Sequence, residues 1–335
     1  MKVLLLHQNR FGRPWGGIEN YCRQLSNLFL DDPNIDIQLS PLYPHSVKFG
    51  KLKYDPIDLK AAILNSEADI IHINGYTSFA VKQGIQIASQ LGRKIILSPH
   101  WHPFNKMNSP LLARTFWNIF IKPYIHLVNG ILCINNEDSA FFSKLHPFVS
   151  TIPHWIMDDS FIGDITYTPK NNNILFVGRS EDENKGFRHL LNLPENLYDI
   201  HCVAKPIYTG RKDITFHSQI SKNELIKLYK EASLVVIPSR YEAFSYVALE
   251  AVCSGCPIVM TNGVRFSDYI SDNSIIGKFE FGNYSDFQRM VKDYIGKRYN
   301  PENYTLRFKK EHIKEEYKLF YNNVMYGQKQ DCRIY

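Results

Sequence analysis

The sequence predicts an α/β fold in two domains, and three observations predict it. A chain of 335 residues is long enough for two domains of ordinary size, each with a core of its own. Short, continuously apolar and β-branched runs recur along it, as expected of parallel strands buried on both faces. The stretch from Leu234 to Met260, LVVIPSRYEAFSYVALEAVCSGCPIVM, reads strand, loop, helix, turn, strand. In open sheets of this kind a site lies at the C-terminal ends of the strands.

Composition narrows the function. Hydrophobic residues make up 44% and charged residues 21%, the balance of a soluble globular protein. A net charge of +6, from 39 Lys and Arg against 33 Asp and Glu, gives no case for nucleic acid, while anionic partners fit. The six cysteines are scattered and no secretory signal precedes them, so reduced thiols in a cytoplasm are expected. Cys253 and Cys256 form a C-x-x-C, but there is no second pair to complete a zinc site, and small residues pack at a helix end. No apolar run approaches the roughly 20 residues that span a bilayer.

Val3 to Leu6 is the first strand. Gln8 to Gly17 is a glycine-punctuated loop before a helix beginning near Ile18, which is how a nucleotide-binding βα unit opens. In the loop QNRFGRPWGGIEN, Gly12, Gly16 and Gly17 are wrongly spaced for G-x-G-x-x-G, so a nicotinamide cofactor loses ground. Arg10 and Arg13 can meet an anionic acceptor or stand as solvated loop charges. Asp69 to Ile73 (DIIHI) is a second buried strand, ending in Asn74 and Gly75. Lys94 to Leu97 is a third and runs into SPHWHP, where His100 and His102 are either site residues or loop histidines over a packed Trp and Pro. Phe104 to Leu127 is rich in aromatic and basic residues; such a helix can lie on anionic lipid or simply cover a sheet. Gly130 to Asn135 is another strand, and the first domain ends near Trp155.

The second domain begins after Asp158 and Asp159. Its first strand, Asn173 to Val177, leads into GRSEDENKGF, and Asp199 to Ala204 leads into KPIYTG; Ile214 to Ile220 and a helix from Ser221 to Ala232 follow. After the strand Leu234 to Pro238, Ser245 can cap a helix from Tyr246 to Ser254, Gly255 can take the left-handed position that ends it, and Pro257 opens the strand to Met260. The unpaired N–H groups and positive dipole end at Ser245, Tyr246 and Val247 can hold a phosphate. Glu242 lies just before this helix and Glu250 on its second turn. Either could be a solvated glutamate favoured there by the dipole alone. Ile313, Tyr317, Phe320, Tyr321 and Val324 fall on one face of a last helix.

Taken together, E-x7-E after a buried strand in a P-S-x-x-E-x-F loop resembles the donor-binding signature of retaining glycosyltransferases of the GT-B fold, specifically glycosyltransferase family 4, the glycosyl transferases group 1. The resemblance implies two Rossmann-like domains facing across a central cleft. It implies a first domain of 1–155 completed by a crossing helix at 306–326, and a nucleotide-sugar domain of 156–305. It also assigns roles. Gly16 and Gly17 match a G-G-[IV]-E element that touches the donor. His100 matches the catalytic histidine near the sugar's reacting end. Gly178, Arg179, Lys185 and Gly186 match G-R-x(n)-K-G, with two cations on the diphosphate leaving group. Glu242 would hold sugar hydroxyls, Ala243, Phe244, Ser245, Tyr246 and Val247 would line the donor, and Glu250 would accept a ribose diol. His102, Asn74, Arg10 and Arg13 fall on the acceptor side.

Three departures from the pattern stand out. Asn74 replaces the second histidine of H-x-H, of which His72 is the first, so a titrating group is lost. His154 and Trp155 replace the Asn and Gly of V-I-P-N-G-[IV]. KPIYTG lacks a glycine-rich turn and leaves Lys205 to approach the nucleotide.

The implied function is transfer of a sugar from a UDP- or GDP-linked donor to a hydroxyl of a saccharide or lipid-linked glycan, in cell-surface polysaccharide or glycoconjugate assembly. No D-x-D stands at a strand end, so no metal ligands are visible and no cofactor is expected. The expected location is cytoplasmic, with contact to the inner face of a membrane through 104–127 as one reading. The rivals are a non-catalytic nucleotide-sugar-binding partner subunit and a nucleotide-sugar epimerase of the same fold.

Overall fold

The computed structural model describes residues 1–7, 17–41, 48–49, 52–53, 56–76, 78–100, 110–162 and 172–327. The chain divides into two compact units, one made of Met1–Pro153 with Lys310–Tyr335, the other of His154–Lys309.

The first unit runs β1 (Lys2–His7), α1 (Gly17–Leu28), β2 (Asp36–Pro41), a short hairpin of β3 (Lys48–Phe49) and β4 (Leu52–Lys53), α2 (Pro56–Asn65), β5 (Ile70–Asn74), α3 (Phe79–Gln90), β6 (Lys94–Ser98), α4 (Pro110–Phe116), β7 (Gly130–Cys133), α5 (Asn136–Phe142) and β8 (Val149–Thr151). Six strands pair in parallel in the order β2-β1-β5-β6-β7-β8. The order reverses between β1 and β5, which makes the C-terminal ends of those strands the place for a ligand.

The basic aromatic segment is not one helix. α4 passes into a π-helical turn at Trp117–Ile121 and then a 3-10 turn at Lys122–Leu127, where Pro123 cannot donate to a regular ladder.

The second unit contains β9 (Asn173–Val177), β10 (Asp199–Val203), β11 (Ile214–Phe216), α6 (Lys222–Glu231), β12 (Leu234–Ile237), α7 (Tyr246–Cys253), β13 (Ile258–Thr261), β14 (Ile276–Phe279), α8 (Tyr284–Tyr294) and α9 (Glu302–Thr305). Its six strands are parallel in the order β11-β10-β9-β12-β13-β14, so the switch point falls between β9 and β12. β12 and β13 are buried at every position, as continuous apolar runs in a parallel sheet require. The strand expected over 214–220 stops at Phe216, because Ser221 and Glu224 build a capping box that starts α6.

The last helix, α10 (Lys310–Tyr326), packs in the first unit. Ile313, Tyr317, Phe320, Tyr321 and Val324 are all buried. Asp32, in the turn after α1, pairs with Lys314 at 3.2 Å and Lys318 at 2.9 Å. Gly130 opens β7 because a Cβ there would stand 2.8 Å from Val324 and 3.2 Å from Phe320.

Cys22, Cys133, Cys202, Cys253 and Cys256 are buried thiols, not disulfide-bonded, and burial pushes the Cys253 and Cys256 thiols up to about 12. Thiols held that far from the thiolate suit packing and not redox chemistry. Among the described residues no helix is long and apolar enough to cross a membrane, and no three His, Cys, Asp or Glu side chains cluster as metal ligands do.

Candidate functional site

In the second unit, the loops that follow β9 and β12 meet at the switch point. Arg240 N–H donates to the Asn184 carbonyl at 2.7 Å, and the Asn184 side-chain amide donates to the Tyr241 carbonyl at 3.1 Å. This backbone contact explains the glycine of K-G. Gly186 has φ +68°, and a Cβ on it would lie 2.0 Å from the Pro238 carbonyl oxygen. Gly263 is a second such place, with its Cβ position 2.0 Å from the Arg240 oxygen. There the Glu242 N–H donates to the Gly263 carbonyl and the Arg265 N–H to the Glu242 carbonyl, so the Glu242 backbone is clamped on both sides.

The two loops bring together side chains from the two separate motifs. Lys185 Nζ donates to Glu242 Oε1 at 2.8 Å, and Ser239 Oγ donates to the same oxygen at 2.5 Å. The Glu242 side chain is 11% exposed and Lys185 26%, so the pair is shielded but within a ligand's reach. Arg179 is not gathered with them. Its guanidinium pairs with Asp182 in its own loop at 2.5 Å, and its side chain is 71% exposed.

Three residues beyond Glu242, Ser245 caps α7, its hydroxyl accepting from the Ala248 N–H at 3.3 Å, and Gly255 ends the helix region at φ +66°. The first turn of α7 therefore presents backbone N–H groups beside the Lys185–Glu242 pair. Ala243 and Phe244 are buried, and the Phe244 ring packs edge-on among Phe266, Tyr269 and Phe308. His154 is also buried. It stacks on Tyr246 at 4.8 Å with an interplanar angle of 13°, so the substitution of His for Asn builds a support under the start of α7.

Glu250 sits one wall deeper. Tyr229 of α6 donates its hydroxyl to Glu250 Oε2 at 2.7 Å, and burial raises the carboxyl to about 7, only partly offset by that bond. A cavity of about 20 Å³, the room of about one water, adjoins Glu250, Tyr246 and Trp155. A wider recess of about 440 Å³ opens beside the β9 loop, walled by Glu181, Arg188, Arg240, Phe281 and Tyr284 among others.

In the first unit, His100 follows β6 and Asn74 ends β5. They are joined by a hydrogen bond of 2.9 Å between His100 Nε2 and Asn74 Oδ1. His100 has φ +46°, an uncommon conformation for a residue with a side chain. Beneath it, His72 lies fully buried between the Ser98 hydroxyl at 2.7 Å and the Tyr321 hydroxyl at 3.0 Å; burial, with the nearby His100, lowers it to about 3. His72 is therefore a neutral structural link. Gly17 opens α1. Arg10, Arg13, Gly16 and His102 lie outside the described residues.

Sequence reasoning did not single out Tyr229, Gly263 or the hydroxyl of Ser239 as parts of this arrangement. Ser239 had a signal, its place in P-S-x-x-E. Tyr229 and Gly263 had none, because their partners are distant in sequence.

The model of the family described as glycosyl transferases group 1 matches residues 207–311. The matched segment runs from just after β10 to the start of α10. It contains Glu242, α7 and Glu250, whereas Lys185 and Arg179 lie before it. Two curated relatives match over similar lengths. An uncharacterized 41.2 kDa protein in the cps region of Klebsiella pneumoniae is 29% identical over 109 residues, 30% of each chain. An uncharacterized glycosyltransferase of Methanocaldococcus jannaschii is 35% identical over 106 residues, 27% of each chain. The matched stretches thus span less than a third of either relative.

Solved structures match far more of the chain at low identity. Sucrose-phosphate synthase from Thermosynechococcus elongatus has a TM-score of 0.74 at 16% identity, over 98% of this chain and 100% of its own. A lipopolysaccharide outer core galactosyltransferase has 0.71 at 14%, over 98% and 99%. The Anabaena HepE protein in complex with UDP-glucose has 0.69 at 14%, over 96% and 100%. The chain shares their fold, the GT-B architecture of two parallel α/β sheets.

Proposed function

We propose that this protein is a retaining glycosyltransferase that moves a sugar from a UDP- or GDP-linked donor to a hydroxyl of a saccharide or lipid-linked glycan, without a metal ion. The observation that carries the reading is the Lys185–Glu242 contact of 2.8 Å beside the capped N-terminus of α7. In this reading the cation and the helix N–H groups would meet a departing diphosphate, and the carboxylate would hold sugar hydroxyls.

In transfer, negative charge develops on the diphosphate as the anomeric bond breaks, and Lys185 with the first turn of α7 would meet that charge. Glu242 would accept from the sugar, Glu250 from the ribose, and His100 would stand toward the reacting end. The group 1 match supports the reaction class. The UDP-glucose complex of the Anabaena protein favours uridine donors for the first trials. The galactosyltransferase of lipopolysaccharide outer core favours a glycan acceptor, and with it a role in cell-surface polysaccharide or glycoconjugate assembly at the cytoplasmic side.

A peripheral membrane contact through 104–127 belongs to the same proposal. Leu111, Leu112 and Ile119 are exposed there beside exposed Arg114 and Lys122, and the segment has no acidic residue.

The test is a panel of UDP- and GDP-sugars by thermal shift on the full chain, where a donor at 100 times its Kd stabilises by about 2.7 kcal/mol. The donor that binds is then given glycan acceptors, with the product's anomeric configuration read by NMR, with and without EDTA. A retained anomer formed in EDTA is expected. An inverted anomer, a reaction that dies in EDTA and revives with Mg²⁺, or a donor epimerised without an acceptor would each overturn the corresponding part. Binding with no transfer to any acceptor would favour a non-catalytic partner subunit.

A further inference from the structure

We propose that Asn74 is a positioning residue that fixes the tautomer of His100, so that Nε2 carries the proton and Nδ1 the lone pair. The side-chain amide of Asn74 is fully buried and its orientation is decided by two backbone oxygens. Its Nδ2 donates to the Leu6 carbonyl at 3.2 Å and lies 3.5 Å from the His72 carbonyl. Turning the amide over would set its oxygen against both carbonyl oxygens and break both N–H contacts, which buried polar groups resist. The amide oxygen therefore faces His100 Nε2, 2.9 Å away, and an oxygen with no hydrogen can only accept.

Nε2 must then carry a proton, and in the neutral form of the ring the lone pair falls on Nδ1. Two further features hold the ring in place. The Tyr21 ring meets it edge-on at 4.9 Å, and Tyr21 is itself tied to the Tyr317 hydroxyl at 2.7 Å, so α1 and α10 both brace it. The backbone of His100 stands at φ +46°, a conformation that persists only where its surroundings over-determine it. The loss of a titrating side chain at position 74 thus has a physical meaning. An aspartate or histidine there could exchange a proton with His100, whereas an asparagine cannot, and it leaves the proton in one place.

The tautomer stands on the hydrogen bonds alone. Its consequence for turnover rests on the reading of His100 given under the proposed function, so the two are measured separately. Histidine labelled with ¹⁵N in the full chain, with the His100 signals assigned by their absence from His100→Gln, reports the tautomer through two-bond couplings. Wild-type His100 is expected to show a protonated Nε2 and an unprotonated Nδ1. Asn74→Leu is expected to give a mixture of the two tautomers and to lower kcat at least tenfold with KM for the donor within twofold, an effect that a loss of packing alone would not confine to kcat. Asn74→Ser keeps a hydroxyl oxygen and is expected to restore part of the wild-type tautomer preference. A wild-type His100 protonated on Nδ1, or an unchanged tautomer in Asn74→Leu, overturns the proposal. Wild-type turnover in both His100→Gln and Asn74→Leu, with the tautomer as expected, removes His100 from the reaction and leaves the positioning intact.

Discussion

Glu242→Ala separates the sugar from the nucleotide. This carboxylate takes bonds from Lys185 and Ser239 on one oxygen, so its removal frees a cation that a diphosphate would otherwise have to share. With the carboxylate about 6 Å from a bound phosphate charge in a water-like dielectric, Coulomb's law gives roughly 0.7 kcal/mol of repulsion per unit charge, which the substitution abolishes. Bare UDP or GDP should therefore bind about threefold more tightly, not less. The sugar loses at least one charge-assisted bond of about 1.5 to 3 kcal/mol, so transfer should fall by roughly 10-fold to 150-fold. Calorimetric titration of UDP and GDP into wild type and variant, beside a transfer assay with the intact donor, reads both effects. Bare nucleotide bound at least tenfold more weakly by Glu242→Ala would refute the assignment, because Glu242 would then act on the nucleotide as Glu250 is expected to.

Other substitutions test the remaining parts. Lys185→Ala should cut turnover by about 10² to 10³, the usual loss for one donor of leaving-group stabilisation, whereas Arg179→Ala should cost much less because its exposed guanidinium is held on Asp182; equal losses in steady-state kinetics would reverse that ranking. Gly186→Ala should lose about 3 kcal/mol or more in urea unfolding, since it combines a left-handed φ with a Cβ 2.0 Å from the Pro238 oxygen, and a loss under 1 kcal/mol would mean that the two loops separate readily. Glu250 is raised to about 7 by burial, so its neutral form is the one the fold favours: that stability is complete below the ordinary carboxyl range near 4.5 and is lost as pH rises through about 7. Ribose hydroxyls prefer the carboxylate, so nucleotide affinity should rise from pH 6 to pH 8 with proton release near pH 7, seen by calorimetry in two buffers of different ionisation enthalpy. An identical pH dependence in Glu250→Gln would assign the proton elsewhere.

Strand by strand, what the sequence made legible follows burial. β1, β6, β7, β9, β12 and β13 lie inside their sheets and show as apolar runs, while the interior strands β5 (IIHIN) and β10 (DIHCV) show as apolar runs interrupted by a histidine. The edge strands did not. β2, DIQLSP, exposes Asp36, Gln38 and Leu39 and carries no apolar run; β8 has three residues; β14, IGKF, includes a lysine; and β11 is shorter than the 214–220 stretch that contains it. An edge strand buries one face only, so its composition resembles that of a loop. The basic segment before β7 misled for a related reason. Its hydrophobic spacing fits a helix, but Pro123 and the crowded aromatics Phe116, Trp117 and Phe120 turn it through π and 3-10 geometry.

At the site, the same distinction holds between what is local and what is assembled. E-x7-E and the cap at Ser245 are fixed by one strand-loop-helix unit, so their spacing alone places them, and Lys185 follows because its strand, β9, lies beside β12 at the switch point. Arg179, six residues before Lys185 in the same loop, shows that proximity in sequence does not decide which cation faces inward; the N-terminal position of Asp182 in a 3-10 turn draws the guanidinium back. Glu250 has the right place on α7, yet its chemistry is set by Tyr229, 21 residues away on a different helix, and a carboxyl near 7 cannot be read from a spacing. Asn74 reverses the lesson. By residue type it is a histidine lost, a departure that weakens the site; by geometry it is an acceptor locked by two carbonyls onto His100. A substitution that removes a titrating group can therefore sharpen a neighbouring one, and only the positions of Leu6 and His72, on two adjacent strands, show which of the two has happened.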